Sequence, residues 1–528
     1  MHLQFSFITL LFTGLIGFSG IKEVSGHGSV SGNGEMILIP ANGETGVNPD
    51  TRLKIIFKGI PVLGNKGMIR VYDASDDSLV DILDLSIPPG PKNSRTPAPY
   101  QQIDYEAEQK YLAENNTDVV KTFIQVPRDD IYQHNYIGGD LESDIYHFYP
   151  VLIHDTVASI CLHNHRLKYD RTYYVEVDPN VFTVETDSFK GISGNRSWRF
   201  TTKQRPPSGD KDLYIVSSDG SGDFSTVLGA IEFIPANNPG RKTIFIKNGT
   251  YEEIVYFRNK ENITIAGEER DQVVICYANN GIFNARPTGP RDEMIERFRN
   301  RRTVFAVDHS NDIQLANFTV QSLGEKPAQA EGLLVIGERI IVDHVTIIGS
   351  GDALQATGSI YITHSSITGL GDNILGYGAV FFNECDLIST YGPHMWVRNT
   401  NENHGNIFLN CTFSTIGDVE TVIARAPSSP YYSFPYVEAV LINCAMEGIR
   451  PEGWGQVGEQ KKHIRYWEFN SVNLEDGAPV DVSRRAPYSR QLSMEEDSAI
   501  IASYSDPSFI LKGWTPVVTP LNLSPRLY

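Results

Sequence analysis

Short apolar segments of similar sequence recur through the second half of the chain, and this repeat limits the possible folds more than any other feature. No helical periodicity lies between the segments, and their first residues are 27, 20, 20, 27 and 33 positions apart. A repeat near 20 residues with variable insertions predicts a right-handed parallel β-helix over residues 210–528, with coils about 4.8 Å apart. The segments are 313–320, 340–347, 360–367, 380–387, 407–413 and 440–446.

Three cysteines occur at equivalent points of their predicted coils. They are Cys385, Cys411 and Cys444, and the whole chain has five cysteines. An odd number in so long a chain does not form a disulfide framework. A redox or metal site is one interpretation of the three. We favour a stack of small side chains that fills the interior of the β-helix, because buried free cysteine packs as a small hydrophobic residue.

The first half of the chain has a different pattern, in which apolar and polar residues alternate over short runs. Residues 53–57 and 173–177 each place apolar side chains on one face of a predicted strand. A polar stretch rich in proline and glycine follows at 204–211 and is the best linker candidate. We therefore predict a β-sandwich over 30–205, with a long insertion at about 95–165. Its first and last segments resemble bacterial immunoglobulin-like domains, so an all-β chain is expected.

The first 25 residues are predicted to be a secretory signal peptide. An apolar run at 5–18 is followed by small residues. The run is shorter than the ~20 residues that a membrane span requires. An uncleaved anchor is the alternative. We expect the mature protein to be exported without membrane insertion, either secreted or located in the periplasm or at the cell surface.

The charge of the chain excludes two classes of partner. Lysine and arginine number 45 against 64 aspartate and glutamate, a formal charge of −19. A general nucleic-acid-binding protein usually has a basic surface, and docking on anionic lipid also needs positive charge. We therefore expect no nucleic-acid partner, and we expect a monomer.

Two Gly-x-Gly-Asp motifs lie one coil apart. They contain Asp352 and Asp372, which are 20 residues apart in the sequence. Stacked coils would bring the two carboxylates close together, and close carboxylates do not both ionise easily. One group can then donate a proton near neutral pH while the other acts as an anionic nucleophile or base. The alternative is that the motif forms a turn in which aspartate only caps the bend.

One cluster in the first half has the residue types of a metal site. Cys161, His163 and His165 alternate along a predicted strand, and His154 precedes them. Zinc accepts such ligands, but a fourth ligand is not evident and the spacing matches no standard zinc module. We interpret these residues as ordinary polar side chains of a strand and expect no metal and no organic cofactor.

A series of segments from residue 213 onward resembles the pectin methylesterases, carbohydrate esterase family 8. The order and spacing of the segments, more than any one of them, make the resemblance specific, and it covers nearly all of 213–516. The segments include YIVSSDGSGDFSTVLGAIEFIP (214–235), NGTYEEIVYFRNKENITIAGE (248–268), QAEGLLVIGERIIVDHVTIIGSGDALQ (329–355), ITGLGDNILGYGAVFFNECDL (367–387), VIARAP (422–427), IRPEGW (449–454) and SFILKGWTP (508–516).

The resemblance implies a role for several residues. Asp372 would be the nucleophile that attacks the C6 methyl ester of galacturonate in pectin. Asp352 would protonate the departing methanol and then activate water. Gln329 would donate a hydrogen bond to the oxyanion. Arg425 would hold Asp372 and keep it ionised. Trp454 would be an aromatic platform for a sugar ring, or else a packed core residue.

The sequence also departs from the family at the groove. Gly351 stands where the family usually has a second glutamine as oxyanion donor, and Gln355 stands where it usually has tyrosine. The aromatic residue that usually follows the Arg-Pro pair is missing, because Arg425 is followed by Ala-Pro-Ser-Ser-Pro. Loss of one oxyanion donor costs on the order of 10²–10³ in rate. Gln355 or a backbone N–H beside Gly351 is the candidate replacement, which makes Gln355 a predicted substrate-binding residue.

Three functions remain open at this point. The first is an exported pectinesterase, a carboxylic ester hydrolase whose partner is methylated pectic polysaccharide. The second is a pectate or pectin lyase on the same fold, and the third is a non-catalytic glycan-binding relative. An arginine-rich insertion at 286–302 either meets the carboxylates of such a polymer or forms a solvated helix with internal ion pairs. The motif order favours the esterase.

Overall fold

The computed structural model describes most of the chain. The predicted signal peptide lies outside the described residues, as do most of the insertion of the first half and most of the arginine-rich stretch. No helix among the described residues has the length and apolar character needed to cross a membrane. The described residues are 36–90, 134–138, 145–184, 189–236, 238–284, 301–324, 329–428 and 433–520.

Two sheets of four and five strands make up most of the described first half. The strands are Met36–Ile39 (β1), Glu44–Val47 (β2), Leu53–Phe57 (β3), Pro61–Leu63 (β4), Met68–Asp73 (β5), Leu79–Asp84 (β6), His134–Tyr136 (β7), Ile145–His147 (β8), Val151–His154 (β9), Val157–Ile160 (β10), Thr172–Val177 (β11), Phe182–Val184 (β12) and Arg199–Thr202 (β13). The four-stranded sheet has the order β1-β3-β10-β9 and the five-stranded sheet β2-β13-β11-β5-β6.

The two sheets share one apolar core. Alternate residues of β3 are buried, as the period of a strand with one core-facing side requires. Trp198 is fully buried in this core and donates its indole N–H to the carbonyl oxygen of Pro40 at 2.9 Å. The immunoglobulin-like relationship and the domain boundaries stay predictions.

Parallel strands form the second half of the chain. They are Leu213–Val216 (β14), Lys242–Ile246 (β15), Gly249–Glu252 (β16), Val255–Arg258 (β17), Glu261–Gly267 (β18), Val273–Tyr277 (β19), Phe305–Asp308 (β20), Asn311–Ala316 (β21), Thr319–Ser322 (β22), Leu333–Asp343 (β23), Thr346–Ile348 (β24), Leu354–Thr363 (β25), Ser366–Gly369 (β26), Ile374–Leu375 (β27), Ala379–Asn383 (β28), Asp386–Ser389 (β29), Met395–Trp396 (β30), Asn406–Leu409 (β31), Thr412–Thr415 (β32), Ala424–Arg425 (β33), Glu438–Ile442 (β34), Ala445–Met446 (β35), Arg465–Phe469 (β36), Val472–Asn473 (β37) and Ser489–Gln491 (β38).

These strands stack coil upon coil. Across the described residues, one sheet has 16 strands and a second has nine. Ile360 pairs in parallel with Ile340 in the preceding coil and with Val380 in the following one. The 20-residue spacing of the sequence is therefore one coil of the structure, and the all-β parallel β-helix is confirmed.

Aliphatic and aromatic side chains fill the interior of the coils. Phe382 and Phe408 stack with their ring centroids 4.5 Å apart. Cys385, Cys411 and Cys444 are buried in the same cluster, and none of them forms a disulfide. The prediction that the three thiols fill the interior is confirmed.

Three short helices accompany the β-helix within the described part of the chain. Val227–Phe233 (α1) follows β14 and is capped by the hydroxyl of Thr226, which accepts a hydrogen bond from the Gly229 N–H. Met494–Tyr504 (α2) and Pro507–Ile510 (α3) contribute apolar residues to a smaller cluster that includes residues of β28 and β34. They cover the outer surface of these coils near the C-terminus.

The two halves of the chain are in direct contact at the start of α1. A carboxylate oxygen of Asp50 accepts hydrogen bonds from the N–H groups of Ser225 and Thr226 at 2.9 and 2.8 Å, and from the Thr226 hydroxyl at 2.8 Å. Arg52 donates to the carbonyl oxygen of Glu252. Burial raises the pKa of Asp50 despite these hydrogen bonds.

Each histidine of the suspected metal cluster pairs with a different carboxylate. Two of these pairs join the two halves of the chain, so they have a structural role at the interface. The N···O distances are 2.7 Å for His154 with Glu252, 2.8 Å for His163 with Asp81 and 3.3 Å for His165 with Glu232.

Replacement of Asp50 by alanine should destabilise the protein. The substitution leaves buried N–H groups at the start of α1 without their acceptor, which costs about 1–3 kcal/mol. Urea unfolding of Asp50→Ala measures the loss. The exposed Asp210 is the control, because Asp210→Ala removes the same side chain from the surface. Equal stability of the two variants would contradict the role given to Asp50.

Candidate active site

Asp352 and Asp372 occupy equivalent places in neighbouring coils. Asp352 lies two residues before Leu354, the first residue of β25, and Asp372 lies two residues before Ile374, the first residue of β27. Leu354 and Ile374 pair in parallel. Strands in a sheet are about 4.8 Å apart, so this register makes the two aspartates neighbours. Asp372 has a φ of +51°, a left-handed conformation that is uncommon for residues other than glycine and is concentrated at functional sites.

An arginine from two coils further along holds the Asp372 carboxylate. Arg425 Nε donates to one carboxylate oxygen at 2.8 Å, and Nη2 donates to the other. Such a bidentate pair fixes the orientation of a carboxylate as well as balancing its charge. The Arg425 guanidinium also lies 5.2 Å from the ring centre of Trp396, its partner in the adjacent strand β30. The geometry leaves the Asp372 side chain 12% exposed.

The Asp352 carboxyl has a different environment. It is buried, and it accepts hydrogen bonds from Arg302 Nη2 at 3.0 Å and from Gln329 Nε2 at 3.4 Å. Burial and the nearby carboxylates of Glu331 and Asp372 raise the pKa of Asp352 to about 7, although Arg302 acts in the opposite direction. A carboxyl with such a pKa can both release and accept a proton near neutral pH.

The two predicted glutamines are differently placed. Gln329 contacts Asp352 through its amide nitrogen, and its side-chain oxygen accepts a hydrogen bond from Arg302 Nη1 at 2.5 Å. Gln355 lies within β25 and is 9% exposed. The structure therefore brings Gln329, Asp352, Asp372 and Arg425 together by hydrogen bonds and coil stacking, and Gln355 stands three residues beyond Asp352.

Trp454 is not a sugar platform in this structure. It is 1% exposed, its indole N–H donates to Glu468 Oε1 at 3.0 Å, and its ring stacks on Tyr466 at 4.6 Å. The prediction of a platform is wrong for this residue because its ring packs in the core of the β-helix. The half-buried Trp396 is the tryptophan beside Arg425, and the sequence analysis missed it.

Two charged residues near Asp352, Glu331 and Arg398, were missed, and the sequence singled out Arg302 only as part of the arginine-rich stretch 286–302. Arg302 Nε donates to Glu331 Oε2 at 2.7 Å, and Nη2 donates to Oε1 at 2.5 Å. Glu331 is fully buried. Arg398 lies with its guanidinium 3.9 Å from the ring centre of Trp396 and acts electrostatically on Asp352. The one available signal was Glu331 itself, a charged residue at the start of the apolar run 332–336.

Comparison with known proteins gives one family. The family model described as pectinesterase matches residues 213–513, more than half of the chain. Pectinesterase QRT1 of Arabidopsis thaliana is 27% identical over 324 residues, which cover 58% of this chain and 80% of that protein. The probable pectinesterase 8 of the same plant is 26% identical over 316 residues, covering 55% of this chain and 74% of that protein.

A solved structure of pectin methylesterase from carrot is also similar. It aligns with a TM-score of 0.49 and 19% sequence identity, over 58% of this chain and 95% of the carrot protein. The family match rests on the sequence of the β-helical half, the same half that contains the paired aspartates. The chain belongs to the pectinesterase family.

Proposed function

We propose that this chain hydrolyses the C6 methyl esters of galacturonate in pectic polysaccharide and releases methanol. The observation that carries the proposal is a pair of aspartates at equivalent points of neighbouring coils, in opposite environments. Asp372 is in a bidentate ion pair with Arg425, whereas Asp352 is buried with a pKa raised to about 7. One carboxylate nucleophile and one carboxyl proton donor are the groups that such an ester hydrolysis requires.

Asp372 begins the proposed reaction. Its carboxylate oxygen attacks the ester carbonyl carbon, and a tetrahedral oxyanion forms. The bond from this carbon to the methoxy oxygen then breaks, and the proton of Asp352 passes to that oxygen, so that methanol leaves. An acyl-enzyme anhydride on Asp372 remains. Arg425 supports this step by fixing the carboxylate in one orientation.

Asp352 completes the cycle. As a carboxylate after the first step, it takes a proton from water, and the resulting hydroxide attacks the acyl carbon. The bond to Asp372 breaks and the product leaves as galacturonic acid, which loses its proton to solvent, so both aspartates return to their starting states. A raised pKa suits this exchange because the same group must give and take a proton at one pH.

Gln329 is the proposed oxyanion donor. Its amide nitrogen faces Asp352, and Arg302 fixes the amide by binding its oxygen. Gln355 is the proposed second contact with the substrate. No cofactor or metal enters the proposed reaction.

We also propose that residues 1–25 direct export, that 30–205 form an immunoglobulin-like domain, that 210–528 form the catalytic domain and that the protein acts as a monomer.

Methanol release from methylated homogalacturonan tests the proposed function. Release that is proportional to enzyme concentration supports it. Calcium-dependent formation of an unsaturated, ultraviolet-absorbing product would instead identify a lyase, and binding without turnover would identify a glycan-binding relative.

Removal of either aspartate should abolish or severely reduce turnover without unfolding the protein. We expect Asp372→Asn to lower kcat by about 10⁴-fold or more, because an amide is a poor nucleophile. Asp352→Asn should lower it by about 10²–10⁴-fold, because methanol then leaves without a proton donor. The exposed Asp418 supplies the control variant Asp418→Asn. Near wild-type methanol release by either active-site variant would contradict its assigned role.

The pH dependence should have a descending limb near pH 7. Asp352 must carry its proton when methanol departs, and its pKa is about 7. The value of kcat/KM should therefore fall as the pH rises above 7, about tenfold per unit once most Asp352 is ionised. A rate that stays constant from pH 6 to 9 would show that no proton donor with this pKa takes part.

The backbone conformation at position 351 should require glycine. Its φ is +105°, and an added Cβ would lie 3.5 Å from Gln329 Cα and Cγ. Gly351→Ala should therefore lower the free energy of unfolding by about 1 kcal/mol or more, chiefly through backbone strain. Gly351→Gln should show the same loss and gain no rate from the added amide. Gly240→Ala is the control, because that glycine has open space around its Cβ position and no positive φ. A stable, faster Gly351→Gln would contradict this expectation.

A further inference from the structure

A buried ion pair lies beside Asp352, and one of its members, Glu331, has no part in the reaction described so far. Glu331 is fully buried, and Arg302 binds it through two nitrogens, Nε and Nη2, at 2.7 and 2.5 Å. The Arg302 side chain is 21% exposed, so the pair lies at the border between the interior and the groove. Burying two charges costs free energy that their mutual attraction only partly returns. This cost favours a functional role for the pair.

Arg302 contacts the two groups that the proposed reaction needs on this side of the groove. With one edge of the guanidinium held by Glu331, Nη2 still donates to Asp352 at 3.0 Å. Nη1 donates to the side-chain oxygen of Gln329 at 2.5 Å. This second contact assigns the amide orientation, because the oxygen must face the donor and the amide nitrogen then faces Asp352. A single planar group thus orients both side chains.

The positive charge of Arg302 alone would favour ionised Asp352 and so prevent Asp352 from donating a proton. A positive charge within hydrogen-bond distance of a carboxyl favours the ionised form. Glu331 offsets that charge from the other edge of the guanidinium. The other charged groups that act on Asp352 are Asp372, whose own charge is paired with Arg425, and Arg398. Burial, Glu331 and Asp372 together outweigh the two arginines, since the pKa of Asp352 is raised to about 7.

We propose that Arg302 and Glu331 act as one positioning pair: Arg302 orients Asp352 and Gln329, and Glu331 cancels its charge so that Asp352 keeps a proton to donate. This inference rests on the proposed function and deepens it. In this role neither residue acts directly on the ester. The pair acts through Asp352 and Gln329, and it combines a fixed geometry with an almost neutral local charge.

A merely structural pair would have a different signature from a positioning pair. Loss of a structural pair lowers stability and the amount of active enzyme, but it leaves the pH dependence of the active fraction unchanged. Loss of one charge from the proposed pair changes the proton affinity of Asp352 and therefore moves the descending limb of the pH profile. The direction of movement depends on which charge is removed.

The test compares the pH profile of kcat/KM for methanol release in three variants. In Glu331→Gln, the unopposed charge of Arg302 should move the descending limb to lower pH, by about 1–3 units. In Arg302→Gln, the unopposed Glu331 should move it to higher pH. In the double variant both charges are absent, so the limb should return to within about half a pH unit of its wild-type position. The rate should stay low, because Gln329 and Asp352 have lost their common hydrogen-bond donor.

Control measurements distinguish a failure of the Arg302–Glu331 proposal from a failure of the proposed esterase function. Asp312 and Arg339 form a bidentate pair at the surface, and Asp312→Asn should leave the limb in place. Melting curves identify any variant that does not fold. The other single variant then tests the proposal alone, because the two substitutions should move the descending limb in opposite directions. A wild-type protein that releases no methanol would overturn the proposed function itself. An active wild type whose single variants keep the limb unmoved, or move it in the same direction, would overturn the pair alone.

Discussion

The parallel register between successive coils is the constraint on which the site depends. Leu354 pairs with Ile374, so residues 20 positions apart in the sequence become lateral neighbours. The hydrogen bonds of the ladder and the packed interior hold this register, and a shift of one residue would turn every buried side chain outward. The placement of Asp352 beside Asp372 is therefore a consequence of the whole stack.

Two neighbouring carboxylates repel each other, and the structure separates their roles by environment. Asp372 has its charge paired with Arg425, which extends back from a strand two coils away. Asp352 is buried, and the arginine that contacts it is already neutralised by Glu331. Arg425 balances the charge of Asp372, whereas the charge of Arg302 is offset by Glu331 while its hydrogen bond still orients Asp352. Acid and base functions can then coexist within one groove.

Much of this arrangement could be predicted from sequence, because β-helix geometry is repetitive. The strand repeat gave the coil step, and the coil step with the Gly-x-Gly-Asp motif indicated Asp352 and Asp372. The environment of Asp352 could not be predicted, since Arg302 and Glu331 are 29 residues apart and belong to different coils. Trp454 was misjudged for a related reason. Its burial depends on Tyr466 and Glu468, which enter from the next strand, β36.

A direct titration of the Asp352 carboxyl tests the central claim, that one of the two stacked aspartates holds a proton near neutral pH. Carboxyl-¹³C-labelled aspartate in the full protein allows this by NMR, with Asp352→Asn used to assign the resonance. A resonance that is absent from that variant should titrate with a midpoint near pH 7, as the raised pKa of Asp352 requires. If Asp352 is already fully ionised at pH 5, it cannot serve as the proton donor, and the division of roles between the two aspartates is contradicted.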